Sequence, residues 1–283
     1  MASASPKTGM LPKLGIVAGG GVLPGYLAQC AQEQGREVFV LAVEGQADPA
    51  VVKEFTHAWI RMGAASSAIE KLREEGVEEV VLAGPVRRPS LTSLMPDARA
   101  VRFLAKGVFK GGDDGLLGAI VAALEEEEGF KVIAAQDIAG GLLAGIGRLA
   151  KARPDERVLA DIERGVEVLL ALGRADVGQA VVVQNGVVLG IEALEGTDGL
   201  ITRTADLRFE GPGPVLIKMS KPGQEHRIDL PTIGPGTIAT CAQGGFAGIA
   251  VEAGMCLIVE RDKVIDQADS AGLFLEGWST AGG

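Results

Sequence analysis

Histidine is almost missing: His57 and His226 are the two in 283 residues. That excludes a two-metal hydrolase centre ligated by several imidazoles, so any metal must be held mainly by oxygen, the preference of Mg²⁺ or Mn²⁺. Cysteine is scarce too. Cys30, Cys241 and Cys256 form an odd set without CxxC spacing, which argues for a reduced, cytosolic chain with no structural zinc. All three lie in apolar surroundings with no paired base and read as small buried hydrophobes. Cations are outnumbered, 27 Lys and Arg against 37 Asp and Glu, and the net charge of −10 excludes a protein whose main work is nonspecific binding to nucleic acid. A local basic pocket is still allowed. No run is apolar enough for a bilayer: the longest uncharged stretch, Pro231 to Val251, holds two prolines and five glycines. The first ten residues, MASASPKTGM, lack the apolar core of a signal peptide.

Glycine is abundant, 41 residues, roughly twice the usual share, and without a G-X-Y period it belongs in turns and close backbone contacts. The length favours two domains without excluding one. Residues Leu14 to Ala18, the triplet Gly19-Gly20-Gly21, a helical pattern opened by Pro24 and closed by Gly35, and the apolar run Val38 to Val43 read as strand, glycine loop, helix and strand. Short runs at Glu79 to Ala83 and Lys131 to Ala135 alternate with helical segments such as Gly115 to Glu125, which predicts a parallel α/β sheet. Asp113 and Asp114 before that helix read as caps, and Glu125 to Glu128 read as a solvated face. A Gly- and Ala-rich stretch from Ala139 to Pro154 marks the domain boundary, after which Pro154 opens a helix carrying Val158, Ile162, Val166, Leu169 and Leu170. Beyond Gly173 two β-branched runs flank Asn185-Gly186, a strong hairpin signal. Strands at Val215 to Met219, Ala247 to Glu252 and Met255 to Glu260 complete a mixed or largely antiparallel α+β domain.

Several groups could carry chemistry. The GGG loop and the helix start after it suit a phosphate, or else form a tight turn that only permits close packing. GGGVLPG is not GxGxxG, there is no Walker lysine, and Glu44 alone is a weak ribose ligand. Gly84-Pro85-Val86-Arg87-Arg88-Pro89 follows another strand and offers arginines for phosphate oxygens, or simply solvated surface. Glu192, Glu195 and Asp198 follow the hairpin and Asp176 precedes it; each alone reads as a turn acid. Lys218, Lys221, His226, Arg227 and Asp229 surround a Pro-Gly turn, and cations beside carboxylates are what phosphoryl chemistry needs. A solvated His226 is the simpler reading of that residue.

The words GIVAGGGVLPGYLA, LAGPVRRP, GGDDGLL, AAQDI, DVGQAVVVQNGVVLGIEALEGTDGLI, KMSKPGQEHRIDLPTIGP and GIAVEAG, in this order from about Leu14 to Phe274, resemble the LpxI-type UDP-2,3-diacylglucosamine pyrophosphatases of Gram-negative lipid A biosynthesis. The resemblance implies a Mg²⁺-dependent hydrolase, with Mn²⁺ as the alternative ion, that converts UDP-2,3-diacylglucosamine to UMP and 2,3-diacylglucosamine 1-phosphate. It implies an extension over 1–13, a Rossmann-like nucleotide-binding domain over 14–145, a linker over 146–153 and a family-specific catalytic domain over 154–283. Asp229, Lys218, Lys221 and Asp198 are the expected catalytic set. Asp229, Asp198 and Glu195 are the expected metal ligands, Asp229 serving either as ligand or as general base. Gly19, Gly20, Gly21, Leu23, Pro24, Arg87, Asp113, Gln179, Thr197, Gln224 and Thr232 are expected on the substrate. The chain is expected in the cytoplasm, touching the inner membrane surface transiently, with a homodimer allowed and no nucleic-acid partner. The competing readings are a nonenzymatic nucleotide-sugar-binding regulatory module and a nucleotide-sugar transferase.

Overall fold

The computed structural model describes residues 11–86, 95–108, 112–173, 175, 177–222 and 226–279; the side chains of 104–108 and 112–114 are outside that description. The chain divides into two compact units, the first ending at Ala139 and the second running from Gly140, with Gly112–Asp114 grouped with the second.

The first unit runs β1 (Leu14–Ala18), α1 (Leu23–Glu33), β2 (Val38–Val43), α2 (Pro49–Val52), β3 (His57–Ile60), α3 (Ala65–Glu74), β4 (Glu79–Ala83), α4 (Ala98–Val108), α5 (Gly112–Ala122), β5 (Lys131–Val132) and α6 (Ala135–Ile138). Its strands form one sheet in the order β3-β2-β1-β4-β5, parallel throughout. This is the strand order of a Rossmann-like fold, with the direction of winding reversing between β1 and β4. β2, VFVLAV, is buried at every position, as a strand covered on both faces must be. Helix α5 starts at Gly112, so Asp113 and Asp114 occupy its first turn rather than preceding it, and a π-helical turn, Ala123–Glu127, ends it.

The second unit runs β6 (Gly147–Arg148), α7 (Glu156–Gly173), β7 (Ala180–Gln184), β8 (Val187–Ile191), α8 (Gly196–Ala205), β9 (Val215–Lys218), β10 (Thr232–Ile233), α9 (Pro235–Gln243), β11 (Gly248–Glu252), β12 (Leu257–Ile258), α10 (Arg261–Ala271) and β13 (Phe274–Trp278). The sheet order is β6-β13-β11-β9-β7-β8, with β10 and β12 paired separately. The sheet is mixed, but its centre is parallel, β9 to β11 to β13, and only the flanking pairs are antiparallel. A mixed sheet is what the sequence predicts, and helices α9 and α10 account for its parallel centre: each is a crossover between adjacent parallel strands. β6 lies within the stretch expected as a linker, 146–153, and pairs with β13.

Strand alternation sorts the core into two faces. Val181, Val183, Val215 and Ile217 pack with Val158, Ile162 and Leu169 of α7. Val182, Leu216 and Val251 pack with Leu200 and Ile201 of α8, Ile238 and Cys241 of α9, and Val264 and Ala268 of α10. Two buried polar side chains fasten the hairpin. Asp161 of α7, 4% exposed, accepts from the amides of Asn185 at 2.9 Å and Gly186 at 2.6 Å, and both of these turn residues have positive φ, the requirement of a type I′ turn. Gln184 donates to the carbonyls of Phe209 and Pro212 and accepts from the Phe209 amide.

Replacing Asp161 by Ala strips two buried amides of a charged acceptor and is expected to destabilise the second unit by about 2–4 kcal/mol. A urea unfolding curve with an unchanged midpoint would refute that assignment.

Candidate active site

In the first unit the two glycine-bearing loops, after β1 and after β4, cross at the carboxyl ends of the strands. Gly19 donates to Ala83 O and Gly20 to Pro85 O, each at 2.8 Å. A Cβ on Gly19 would lie 2.6 Å from Gly84 O, and one on Gly84 would collide with Gly20 O. Both positions therefore need glycine because backbone meets backbone. The amides of Gly19 and Gly20 are thereby committed within the protein. The amides from Gly21 through Leu23 open α1, whose N-cap, Val22, makes no side-chain capping bond. Of the expected phosphate loop, Gly21, Leu23 and the helix start present donors, while Gly19, Gly20 and Pro24 shape the turn. Arg87, Arg88, Asp176 and Gln224 lie outside the described residues, as does the side chain of Asp113.

In the second unit the chemistry gathers where the parallel strands β9 and β11 end, the edge at which open α/β sheets bind ligands. Register places Ala180 of β7 and Val251 of β11 on either side of Lys218. Lys218 shares the parity of Leu216, so its side chain leaves the sheet on the α8 face. It is only 5% exposed, and its Nζ donates to Thr197 Oγ1 at 2.7 Å, in the first turn of α8. Thr197 in turn donates to Glu192 Oε1 at 2.7 Å, and Glu192 Oε2 accepts from the Gln179 amide at 3.0 Å. Glu192 is 6% exposed. Gln179, Thr197 and Lys218, expected separately, are thus joined through an acid that reads in sequence as a turn residue. Gly178 makes room for this: its φ is +39°, and a Cβ there would collide with Glu192 O and sit 3.1 Å from Glu192 Cβ. The side-chain oxygen Oε1 of Gln179 is buried with no hydrogen-bond partner among the described residues.

On the far side of Lys218, Ser220 donates its amide and its hydroxyl to Glu252 Oε2 at 2.9 and 2.6 Å. Cys256 is fully buried and lies in the fields of both Lys218 and Glu252; burial pushes its thiol up to about 12. Burial likewise raises Cys241, with Asp198 adding to the effect.

The expected metal ligands do not form a cage. Glu195 pairs with Arg203 at 2.9 Å, and its carboxyl is held below the usual range first by its own backbone amide and then by Arg203. Arg203 also donates to Ile191 O, so this pair braces the loop between β8 and α8. Asp198 is exposed in the first turn of α8. Asp229 is half-buried in the irregular segment before β10, and Lys221, Arg227 and Asp229 are each engaged by a partner. Thr232 donates to Leu230 O at 3.1 Å. Among the described residues no three His, Cys, Asp or Glu side chains are grouped to hold an ion.

Residues 13–142 match the LpxI N-terminal domain and residues 145–276 match the LpxI C-terminal domain. The chain belongs to the LpxI family. The UDP-2,3-diacylglucosamine pyrophosphatase LpxI of Caulobacter vibrioides is 41% identical over 273 residues, which cover 94% of this chain and 97% of that one. Among solved structures, UDP-glucose 4-epimerase of Thermus thermophilus with NAD is 16% identical, covers 94% of this chain and 85% of that one, and has a TM-score of 0.33. WbmG of Bordetella bronchiseptica with NAD and UDP is 13% identical, covers 99% and 84%, and has a TM-score of 0.36. Likenesses at that level carry no argument. In this LpxI chain the donor chemistry fits Mg²⁺ only as one or two carboxylates completed by phosphate oxygens, a common arrangement for that ion, and Glu195 is committed elsewhere.

Two outcomes check this geometry. Gly178→Ala should cost on the order of 2 kcal/mol in urea unfolding through the forced shift at Glu192; an unchanged midpoint would contradict the contact. At pH 8 Cys241 and Cys256 should resist a thiol reagent in the native protein and react once it is unfolded, because both are buried and burial raises both thiols, Cys256 to about 12, which keeps them protonated there.

Proposed function

We propose that this protein hydrolyses the pyrophosphate bond of UDP-2,3-diacylglucosamine, releasing UMP and 2,3-diacylglucosamine 1-phosphate. Family membership and the 41% identical relative of that name support the substrate. One structural observation carries the site: Lys218 is a buried ammonium bonded to a neutral hydroxyl and, among the described residues, to no carboxylate. Desolvating such a cation costs several kcal/mol, whereas its bond to Thr197 returns about 1.5–3 kcal/mol. The difference favours an anionic ligand, and a phosphate oxygen offers both the charge and the acceptors for the remaining N–H groups.

In this reading a water oxygen bonds to one phosphorus as the bridging P–O bond breaks, the departing phosphate keeps the electron pair, and the water's proton passes to a carboxylate or to solvent. Lys218 offsets charge on the phosphate oxygens, with Lys221 as a second cation. Asp229 orients the water or joins Asp198 in holding Mg²⁺, which would supply further neutralisation of the diphosphate. Glu192 is unsuited to activate water, since it is buried and both its oxygens are engaged. In the first unit, the β1/β4 crossing with the start of α1 is the nucleotide-binding candidate by the same strand-end rule. The acyl chains of this substrate call for contact with a membrane surface; among the described residues no helix is long and apolar enough to cross a bilayer.

Incubation with UDP-2,3-diacylglucosamine and Mg²⁺, water being the sole acceptor, should release UMP, and a chelator should stop it until Mg²⁺ is restored. Tight UDP-sugar binding without UMP would instead favour a regulatory module. Asp229→Ala should retain less than about a tenth of kcat, a loss above ~1.4 kcal/mol; greater retention would remove Asp229 from the centre of the reaction.

A further inference from the structure

We infer that Thr197 and Glu192 are positioning residues for Lys218, and that Thr197 acts as a spacer keeping the ammonium's charge available to a phosphate. This rests on the reading above that Lys218 meets phosphate.

The direction of the hydrogen-bond chain is fixed by its chemistry. An ammonium only donates, a carboxylate only accepts, and a hydroxyl has one proton. Lys218 therefore donates an N–H to Thr197 Oγ1, and the threonine hydroxyl must donate to Glu192, each hydrogen bond 2.7 Å long. Direct contact between Lys218 and Glu192 would instead form a buried ion pair, neutralising the charge and occupying the donors. One interposed hydroxyl holds the ammonium in place with a single N–H and leaves the others for a ligand. Glu192 is itself held from two sides, by the Gln179 amide at the entry to β7 and by Thr197 in the first turn of α8. The ammonium's position is thus set by the hairpin and the helix together. Thr197, expected on the substrate, has its proton committed inward.

The test uses full-length wild type, Thr197→Val, Thr197→Ser, Lys218→Met and the Thr197→Val/Lys218→Met double variant. Readouts are kcat and KM for UMP release, calorimetric titration with inorganic pyrophosphate, and urea midpoints to confirm folding. Thr197→Val should lower kcat about 100-fold, the scale of a misplaced reacting group, and weaken pyrophosphate binding. Thr197→Ser, which keeps the hydroxyl, should restore most of both. In the Lys218→Met background Thr197→Val should cost nothing further, because its effect runs through the missing ammonium. A folded Thr197→Val protein with wild-type kcat and pyrophosphate affinity would overturn the inference, as would a loss that adds in full to that of Lys218→Met. If wild type released no UMP while Thr197→Val and Lys218→Met weakened pyrophosphate binding alike, the hydrolase reading would fall and the positioning role would stand.

Discussion

Lys218 ends a central strand with its charge out of water, and its neighbours are arranged around that fact. Thr197 ties the ammonium with one neutral bond, Glu192 orients the threonine, and the Gln179 amide orients Glu192. Gly178 leaves the space in which this can happen. A lysine so placed is costly in isolation and favourable beside an anion. The proposed phosphate contact rests on this placement, at the point where two parallel strands end.

Both units use the same rule. In the first, β1 and β4 end where the winding reverses, and the loops that leave them are pressed together until only glycine fits. In the second, β9 and β11 end side by side, and the loop leaving β9 brings Ser220 against Glu252, the last residue of β11. The carboxyl ends of parallel strands are open to side chains and ligands because each chain must leave the sheet there for its crossover. The two edges differ in what they offer: backbone amides and a helix start in one, a buried ammonium with fixed acids in the other.

Acids drawn together by sequence proximity take separate roles in space. Glu195 faces Arg203 and braces a loop, Glu192 turns inward to Thr197, and Asp198 stays exposed in the first turn of α8. One helical turn and the end of one strand separate them, and that is enough to aim three carboxylates differently. If Mg²⁺ binds there as proposed, these carboxylates would supply only part of its shell and the rest would come from phosphate and water.

Local pattern alone determined a good deal. The apolar runs of β1, β2 and β4, the GGG turn, the Asn185-Gly186 hairpin and helix α7 are legible because each depends on residues a few positions apart. The family motifs single out Lys218, Thr197, Gln179 and Asp229. Even Glu192 beside Gln179 was within reach: counting outward from the Gln184–Val187 pair puts Glu192 opposite Gln179, and the register shift at Val182/Val183, which only the structure shows, moves the pairing by one residue, Ile191 to Val181. Tertiary structure alone decided that β9 lies between β7 and β11, because strand order is a long-range choice settled by how the crossover helices α9 and α10 cover the sheet. It also decided that Gly19 and Gly20 spend their amides on the neighbouring loop, and that Glu195 answers Arg203. A lysine's one-dimensional neighbours do not reveal whether it will be buried, nor which hydroxyl will meet it; burial is a property of the packed sheet, and the contact joins segments 21 residues apart.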